Sequence, residues 1–315
     1  MEKVATRDAY GKSLVKLGQM YENVVVLDAD LSKSTKTADF AAAFPERFFN
    51  MGIAEQNMMG TAAGLAAAGK VVFASSFAVF ATGRAWEQVR NSIAYAGLNV
   101  KVCASHAGVT VGEDGGSHQS VEDIALMRVL PGMTVLVPAD AVATEKLVTA
   151  VYHQEGPAYV RLGRSAVPTI YRPEQELHMG RGVELREGGD ATIIACGIMV
   201  YQALEAARML EEKGLRVSVV DMFCIKPLDE ELICRKAAET GALVTAEEHS
   251  VIGGLGGAVC EAVAAQCPVP VVRVGVQDRF GQSGTPEELL AFYGLTAGNL
   301  VKAVEKAISL RDGYR

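Results

Sequence analysis

Short β-branched runs alternate with longer helical patterns along nearly the whole chain, and this alternation constrains the fold more than any other feature. The strand-like runs of the first part are Val24 to Leu27, Lys70 to Phe73, Val100 to Ala104, Thr134 to Val137 and Ala158 to Leu162. Helical stretches lie between them at Glu55 to Ala68, Ala85 to Ala94, Val121 to Val129 and Ala141 to Val151. Apolar strands separated by helices form βα units, which build a mainly parallel sheet covered on both faces. From Ser165 to Gly189 the pattern lapses into a stretch with prolines, glycines and charges, which predicts a connector. A second block follows, with strands at Thr192 to Cys196, Arg216 to Asp221, Leu243 to Ala246 and Val269 to Val274. Its helices are Val200 to Lys213, Asp229 to Glu239, Gly256 to Ala265 and Ala297 to Leu310. The expected architecture is two consecutive, mainly parallel-sheet α/β domains over 1–167 and 190–315, joined by a linker over 168–189.

Composition narrows the function classes. The 315 residues suffice for two domains that each bury a core. A formal net charge of −7 without basic clusters argues against nucleic-acid and membrane-surface partners. The start has no signal-peptide pattern, and the apolar runs are too short or too interrupted to span a bilayer. Cys103, Cys196, Cys224, Cys234, Cys260 and Cys267 show no Cys-x-x-Cys spacing. They read as buried free thiols of a reducing cytosol, so a cytoplasmic protein is expected.

Open α/β sheets place ligands at the carboxyl ends of their strands, where the unusual polar segments of this chain fall. Glu55, in Gly52-Ile53-Ala54-Glu55-Gln56-Asn57, opens a helix of small residues that another backbone could approach closely. Taken alone, it is equally an acid favoured at a helix start. Phe77 and Phe80 follow a strand and could stack on a flat ring, although core packing is the commoner fate of such a pair. Gly112-Glu113-Asp114-Gly115-Gly116-Ser117-His118-Gln119-Ser120 predicts a tight loop. Ser120 and Asp123 suggest a capping box for the helix that follows. Asp114 and His118 could there bind hydroxyls and move protons, with His106 nearby. Arg7, Arg161 and Arg164 are candidate anion binders or ordinary surface charges. Gly253 to Gly257 lacks nucleotide-loop spacing and suggests close helix–sheet packing.

Together these segments resemble the transketolase family. The matching segments are DADL with Ser34 downstream, GIAEQN, FAVF, SHAG, GEDGGSHQSVED and RLGR, in the family's order over nearly all of residues 1–165. AEEHSVIGGLGGAV and FGQSGTPEELL resemble the family's C-terminal domain. The resemblance implies a pyrimidine-binding fold followed by a transketolase C-terminal-like domain. It also implies transfer of a two-carbon ketol unit from a ketose phosphate to an aldose phosphate, with thiamine diphosphate as cofactor. Glu55 would hydrogen-bond N1′ of the pyrimidine and promote the tautomer that removes the thiazolium C2 proton. Phe77 and Phe80 would line the pyrimidine pocket, and Asp30 and Leu31 would lie near the thiazolium. Asp114 and His118 would contact the donor's hydroxyl groups, and Arg7, Ser34, His106 and Arg164 would bind the sugar phosphate.

Two departures shape the expectation. A third aromatic often present in the family is replaced by Gly83, where the RAWEQV run resembles deoxyxylulose-phosphate synthases. The chain also has no Gly-Asp-Gly, the motif with which thiamine enzymes hold the metal–diphosphate. No residue here is therefore assigned to a metal. The Mg2+ or Ca2+ would be bound mainly by a separate N-terminal transketolase subunit, in an α2β2 assembly. Other readings are a deoxyxylulose-phosphate synthase-like enzyme, the β subunit of a 2-oxo acid dehydrogenase E1, or a non-catalytic scaffold subunit.

Overall fold

The computed structural model describes residues 3–313. Fourteen strands occur among them: β1 Lys3–Ala5, β2 Val24–Asp28, β3 Phe48–Asn50, β4 Val71–Phe77, β5 Val100–Ser105, β6 Thr134–Leu136, β7 Ala158–Arg161, β8 Ala166–Pro168, β9 Val183–Arg186, β10 Ala191–Ala195, β11 Val217–Asp221, β12 Cys224–Lys226, β13 Leu243–Ser250 and β14 Val271–Val276. The first large sheet has seven strands in the order β12-β6-β7-β5-β4-β2-β3, parallel except for β12. The second has five in the order β14-β13-β10-β11-β9, parallel except for β9. Every residue of β2, β4, β5, β10 and β11 is buried. This continuous burial is what a sheet covered on both faces requires, and it is why these runs lack a polar alternation.

The structure departs from the sequence expectation at the junction between the sheets. The stretch read as a linker holds β9, which pairs antiparallel with β11, and β8 before it pairs with β1. Short edge strands carry a weak pattern, since pairing through the main chain asks little of their side chains. The first sheet also borrows β12 from the C-terminal half of the chain. Val137 N–H donates to Phe223 O at 2.7 Å beside this pairing.

Packing corrects three further readings. Cys234 and Cys267 are joined in a disulfide, with Cα atoms 5.5 Å apart. They come from the Glu230–Thr240 helix and the end of the Leu255–Gln266 helix, which pack side by side. A separation of 33 residues gave no sign of that meeting. Cys103, Cys196 and Cys224 are buried and free. Burial pushes the Cys103 thiol up to about 12 and Cys224 up to about 11, which leaves them inert.

The expected Ser120–Asp123 capping box is not formed: Glu122 precedes the Asp123–Arg128 helix and no side chain caps it. Asp123 is fully buried and instead accepts from Arg161 Nε at 2.7 Å and from Tyr159 OH at 2.5 Å. Arg161 is therefore no anion binder for a ligand; a buried guanidinium needs a carboxylate more than a helix end does. The Gly253–Gly257 run is close packing, as expected. The Glu247 carboxylate accepts from the N–H groups of Leu255 and Gly256 at 2.7 Å each. A Cβ on Gly254 would meet that carboxylate at 2.0 Å.

Among the described residues no helix is long and apolar enough to cross a membrane.

Asp221, at the end of β11, is fully buried and accepts from Tyr171 OH at 2.8 Å. Burial raises its carboxyl to about 8, the Tyr171 hydrogen bond opposes the rise, and Asp140 adds to it. Between the ordinary value of 3.8 and about 8 the unfolded chain ionises at this site while the folded chain keeps its proton. Folding stability therefore falls as pH rises through this window and levels off above it. Asp221→Asn should flatten that decline and stabilise the chain at pH 8 relative to wild type, read from urea midpoints between pH 5 and 9.

Candidate active site

Three loops at the carboxyl ends of β2, β4 and β5 converge. The first is fastened by Asp28, a fully buried carboxylate. It accepts from Leu31 N–H at 2.6 Å, Thr35 Oγ1 at 2.6 Å and Thr37 Oγ1 at 2.9 Å. Burial lifts the Asp28 carboxyl above its usual value, and the Thr35, Leu31 and Thr37 hydrogen bonds pull it partly back. The fold thus turns the chain sharply after β2, with Asp30 at a φ of +64°. Asp30 accepts from Asn50 Nδ2 at 2.9 Å, and its own N–H donates to Asn50 Oδ1 at 3.1 Å.

The second loop carries Phe77 and Phe80. After β4 the backbone runs as wide helical turns over Val79–Arg84. Phe77 is buried, and its ring stacks on the His106 imidazole, with centroids 3.7 Å apart and planes 22° apart. The His118 ring meets Phe77 and Phe80 edge-on at 6.3 and 5.5 Å. Phe77, Phe80, His106 and His118 therefore form one ring cluster.

The third loop follows β5. His106 sits in the left-handed region at a φ of +58°, held from both ring nitrogens. Arg7 Nη1, a donor only, lies 3.1 Å from Nε2, so Nε2 accepts. Nδ1 consequently carries the proton and donates to Ser105 Oγ at 2.8 Å. Burial, with the charges of Arg7, Arg164 and His118, lowers the imidazole to about 3. His106 is thus neutral across the physiological range and adds no charge toward a phosphate; it orients Arg7.

Arg7 Nη1 also donates to Ser34 O at 3.0 Å, which ties the third loop to the first. Arg164 donates to Val111 O and lies 3.5 Å from Asp114 and 3.6 Å from Glu113. His118 Nδ1 lies 3.0 Å from Ser117 Oγ. Gln119 Nε2 donates to Val109 O at 3.0 Å and to Gln282 O at 2.9 Å, so the C-terminal half buttresses this loop. Among the described residues no group of three or more His, Cys, Asp or Glu could hold a metal ion.

Glu55 opens the Glu55–Ala67 helix with its side chain 2% exposed. Its two oxygens lie 3.1 and 3.0 Å from Arg84 Nη1. The Arg84 guanidinium lies over the Phe80 ring, 4.5 Å from its centroid. Through Arg84, Glu55 joins the ring cluster.

A family model described as "Transketolase, pyrimidine binding domain" matches residues 2–169, and one described as "Transketolase, C-terminal domain" matches residues 180–300. The chain belongs to the transketolase family. A solved structure described as a split-gene transketolase, inactive β4 tetramer, is 59% identical with a TM-score of 0.91, covering 98% of this chain and 100% of that one. The 6-deoxy-6-sulfo-D-fructose transketolase subunit SqwH of Clostridium sp. (strain MSTE9) is 44% identical over 100% of this chain and 98% of its own length. Transketolase of Homo sapiens is 38% identical over 98% of this chain but only 50% of its own length. The chain thus resembles the C-terminal subunit of a transketolase divided between polypeptides.

The structure joins Glu55, Phe77, Phe80, His106, His118, Arg7 and the Ser34 carbonyl by direct contacts or short chains of contacts, while Arg164 and Asp114 lie beside each other and the charge of Arg164 reaches His106. Asp30 and Leu31 share the first loop, where Asp30 pairs with Asn50 and Leu31 N–H donates to Asp28 rather than meeting the ring cluster. Sequence reasoning missed Asp28, Ser105, Gln119 and Arg84 as parts of this site. Asp28, Ser105 and Gln119 lie inside DADL, SHAG and GEDGGSHQSVED, which carry the family resemblance, whereas Arg84 opens the RAWEQV run that departs from it.

Removing the Asp28 carboxylate would leave one N–H and two hydroxyls without their acceptor. Asp28→Ala should cost about 2 to 4 kcal/mol. The checks are a lowered thermal midpoint and faster amide exchange over residues 29–37.

Proposed function

We propose that this chain is the pyrimidine-gripping, C-terminal subunit of a split, thiamine-diphosphate-dependent transketolase that moves a two-carbon ketol unit between sugar phosphates. The observation that carries this reading is the secluded Glu55 carboxylate beside the ring cluster at the strand ends. Glu55 and Phe80 already hold a flat group that stacks on the ring, the Arg84 guanidinium, so they suit a flat heterocycle whose ring nitrogen shares a proton with Glu55.

Glu55 would hold the ring through a hydrogen bond to its nitrogen, and Phe77 and Phe80 would line its faces. When bound, thiamine diphosphate supplies the electron sink for the transferred carbon unit. Glu55, buried and almost free of water, suits the task of holding a proton at the ring nitrogen. His118, partly exposed at the edge of Phe80, and Asp114 near Arg164 are placed to receive sugar hydroxyls. Arg7 and Arg164 supply positive charge for the phosphate, with His106 and the Ser34 carbonyl setting the direction of Arg7. Asp30 and Leu31 would border the cofactor from the first loop.

The metal and the diphosphate would be held mainly by an N-terminal partner subunit, as Mg2+ or Ca2+, in an α2β2 assembly. Support comes from the full-length human relative, which is twice as long, and from the relative solved as an inactive β4 tetramer. One relative is named for a sulfonated ketose, so the assay should include several ketose donors.

Co-purification with the N-terminal subunit followed by a ketose-to-aldose transfer assay tests the reading. Turnover should require thiamine diphosphate and both chains. Glu55→Ala should lower it by about 100-fold or more while leaving the thermal midpoint near wild type; full activity in this variant would remove the proposed proton control. The isolated chain should bind thiamine diphosphate far more weakly than the pair, measured by calorimetry. Tight metal-dependent binding by this chain alone would end the split-enzyme claim.

A further inference from the structure

Arg84 makes two contacts that belong to another molecule's binding mode. Its Nη1 lies 3.1 and 3.0 Å from the two Glu55 oxygens. Its guanidinium carbon lies 4.5 Å from the centroid of Phe80. Glu55 is 2% exposed, whereas the Arg84 side chain is 50% exposed, so Arg84 reaches in from the surface. A guanidinium is planar, carries N–H donors and stacks on aromatic faces. An aminopyrimidine is likewise planar and stacks on aromatic faces, and once its ring nitrogen takes a proton it presents an N–H to a carboxylate. On the reading given above, Glu55 and Phe80 are two of the groups that receive the pyrimidine, and the ring and the guanidinium compete for them.

We propose that Arg84 is a built-in placeholder for the cofactor's pyrimidine ring, closing the berth in the empty chain and swinging outward when the ring enters. The local structure suits this movement. Arg84 ends the run of wide turns at Val79–Arg84. Its neighbour Gly83 has nothing within 4 Å of the point where a Cβ would stand, so the space beside it is open. The arrangement also has a physical reason. A carboxylate as secluded as Glu55 is costly without a partner, and Arg84 keeps it paired until the cofactor arrives. The half-exposed pair is weak enough to be displaced, since ion pairs with a solvated partner contribute little. A berth filled by its own side chain lowers apparent affinity by the fraction of time it stands open.

The test titrates thiamine diphosphate with Mg2+ into the assembled pair of subunits, using wild type, Arg84→Ala and Arg84→Met. Met keeps an apolar stem over Phe80 and guards against a packing defect in the Ala variant. Both variants should bind roughly tenfold more tightly and associate faster, corresponding to a wild-type berth open about one-tenth of the time. Equal or weaker binding in both variants overturns the proposal. If wild type binds and turns over but the variants bind no tighter, only the placeholder falls. If the wild-type pair binds no thiamine diphosphate at all, the functional reading falls with it. A crystal structure of the loaded pair supplies a readout independent of affinity. Arg84 should there be turned away from Glu55, and a retained contact near 3 Å would also overturn the proposal.

Discussion

The Asp123–Arg161 ion pair is the interaction on which the rest depends. Both side chains are buried, and they join the end of β7 to the start of the Asp123–Arg128 helix. Arg161 Nη2 also donates to Glu248 O at 2.9 Å, which carries the fastening into β13 of the second sheet. Burial alone would raise the Asp123 carboxyl; the charge and hydrogen bonds of Arg161, with His249 and the Tyr159 hydrogen bond, together outweigh it and hold the group below its usual value. Such a pair adds little over a well-packed apolar substitute, but losing one member strands a charge at a cost of about 3 to 5 kcal/mol. Its value here is geometric: it fixes which surfaces of the two halves meet.

The loop after β5 lies on that seam. Glu248 Oε1 accepts from Thr110 N–H at 2.6 Å, and Ser250 N–H donates to Val121 O at 2.7 Å. Gly108 has a φ of +79°, and a Cβ there would meet the Glu248 carboxylate at 2.3 Å, so the approach depends on glycine at this point. The C-terminal half, which contributes none of the proposed ligand-facing residues, thus shapes the loop that presents His106, Asp114 and His118. A loop that must aim side chains at a ligand gains precision from such external support.

Electrostatically, the site separates its roles. Positive charge comes from Arg7 and Arg164. His106, neutral and hydrogen-bonded at both nitrogens, works as a rigid spacer between Phe77 and Arg7. The Glu55 carboxyl is kept from water and meets the ring cluster through Arg84. The Arg84 guanidinium pairs with Glu55 over the Phe80 ring, while Arg7 is bound through His106, so the two arginines serve different parts of the site.

Much of this was legible in the sequence. The alternation of apolar runs and helical patterns located nine of the strands, because buried parallel strands carry their burial in their own side chains. Glu55, Phe77, Phe80, Asp114 and His118 were candidates by residue type and by their places after strands, and the family resemblance gave them their roles. The short strands β1, β3, β8, β9 and β12 were not legible, since their partners rather than their side chains define them. Nor were the Cys234–Cys267 disulfide, the burial of Arg161 and the pairing of Arg84 with Glu55. Sequence alone determined which elements form and which chemical groups the site can draw on, because local periodicity and residue type are properties of the segment itself. Tertiary structure decided which charges are paired, which histidine is neutral and what rests against Glu55, because those depend on distances between segments that only folding brings together.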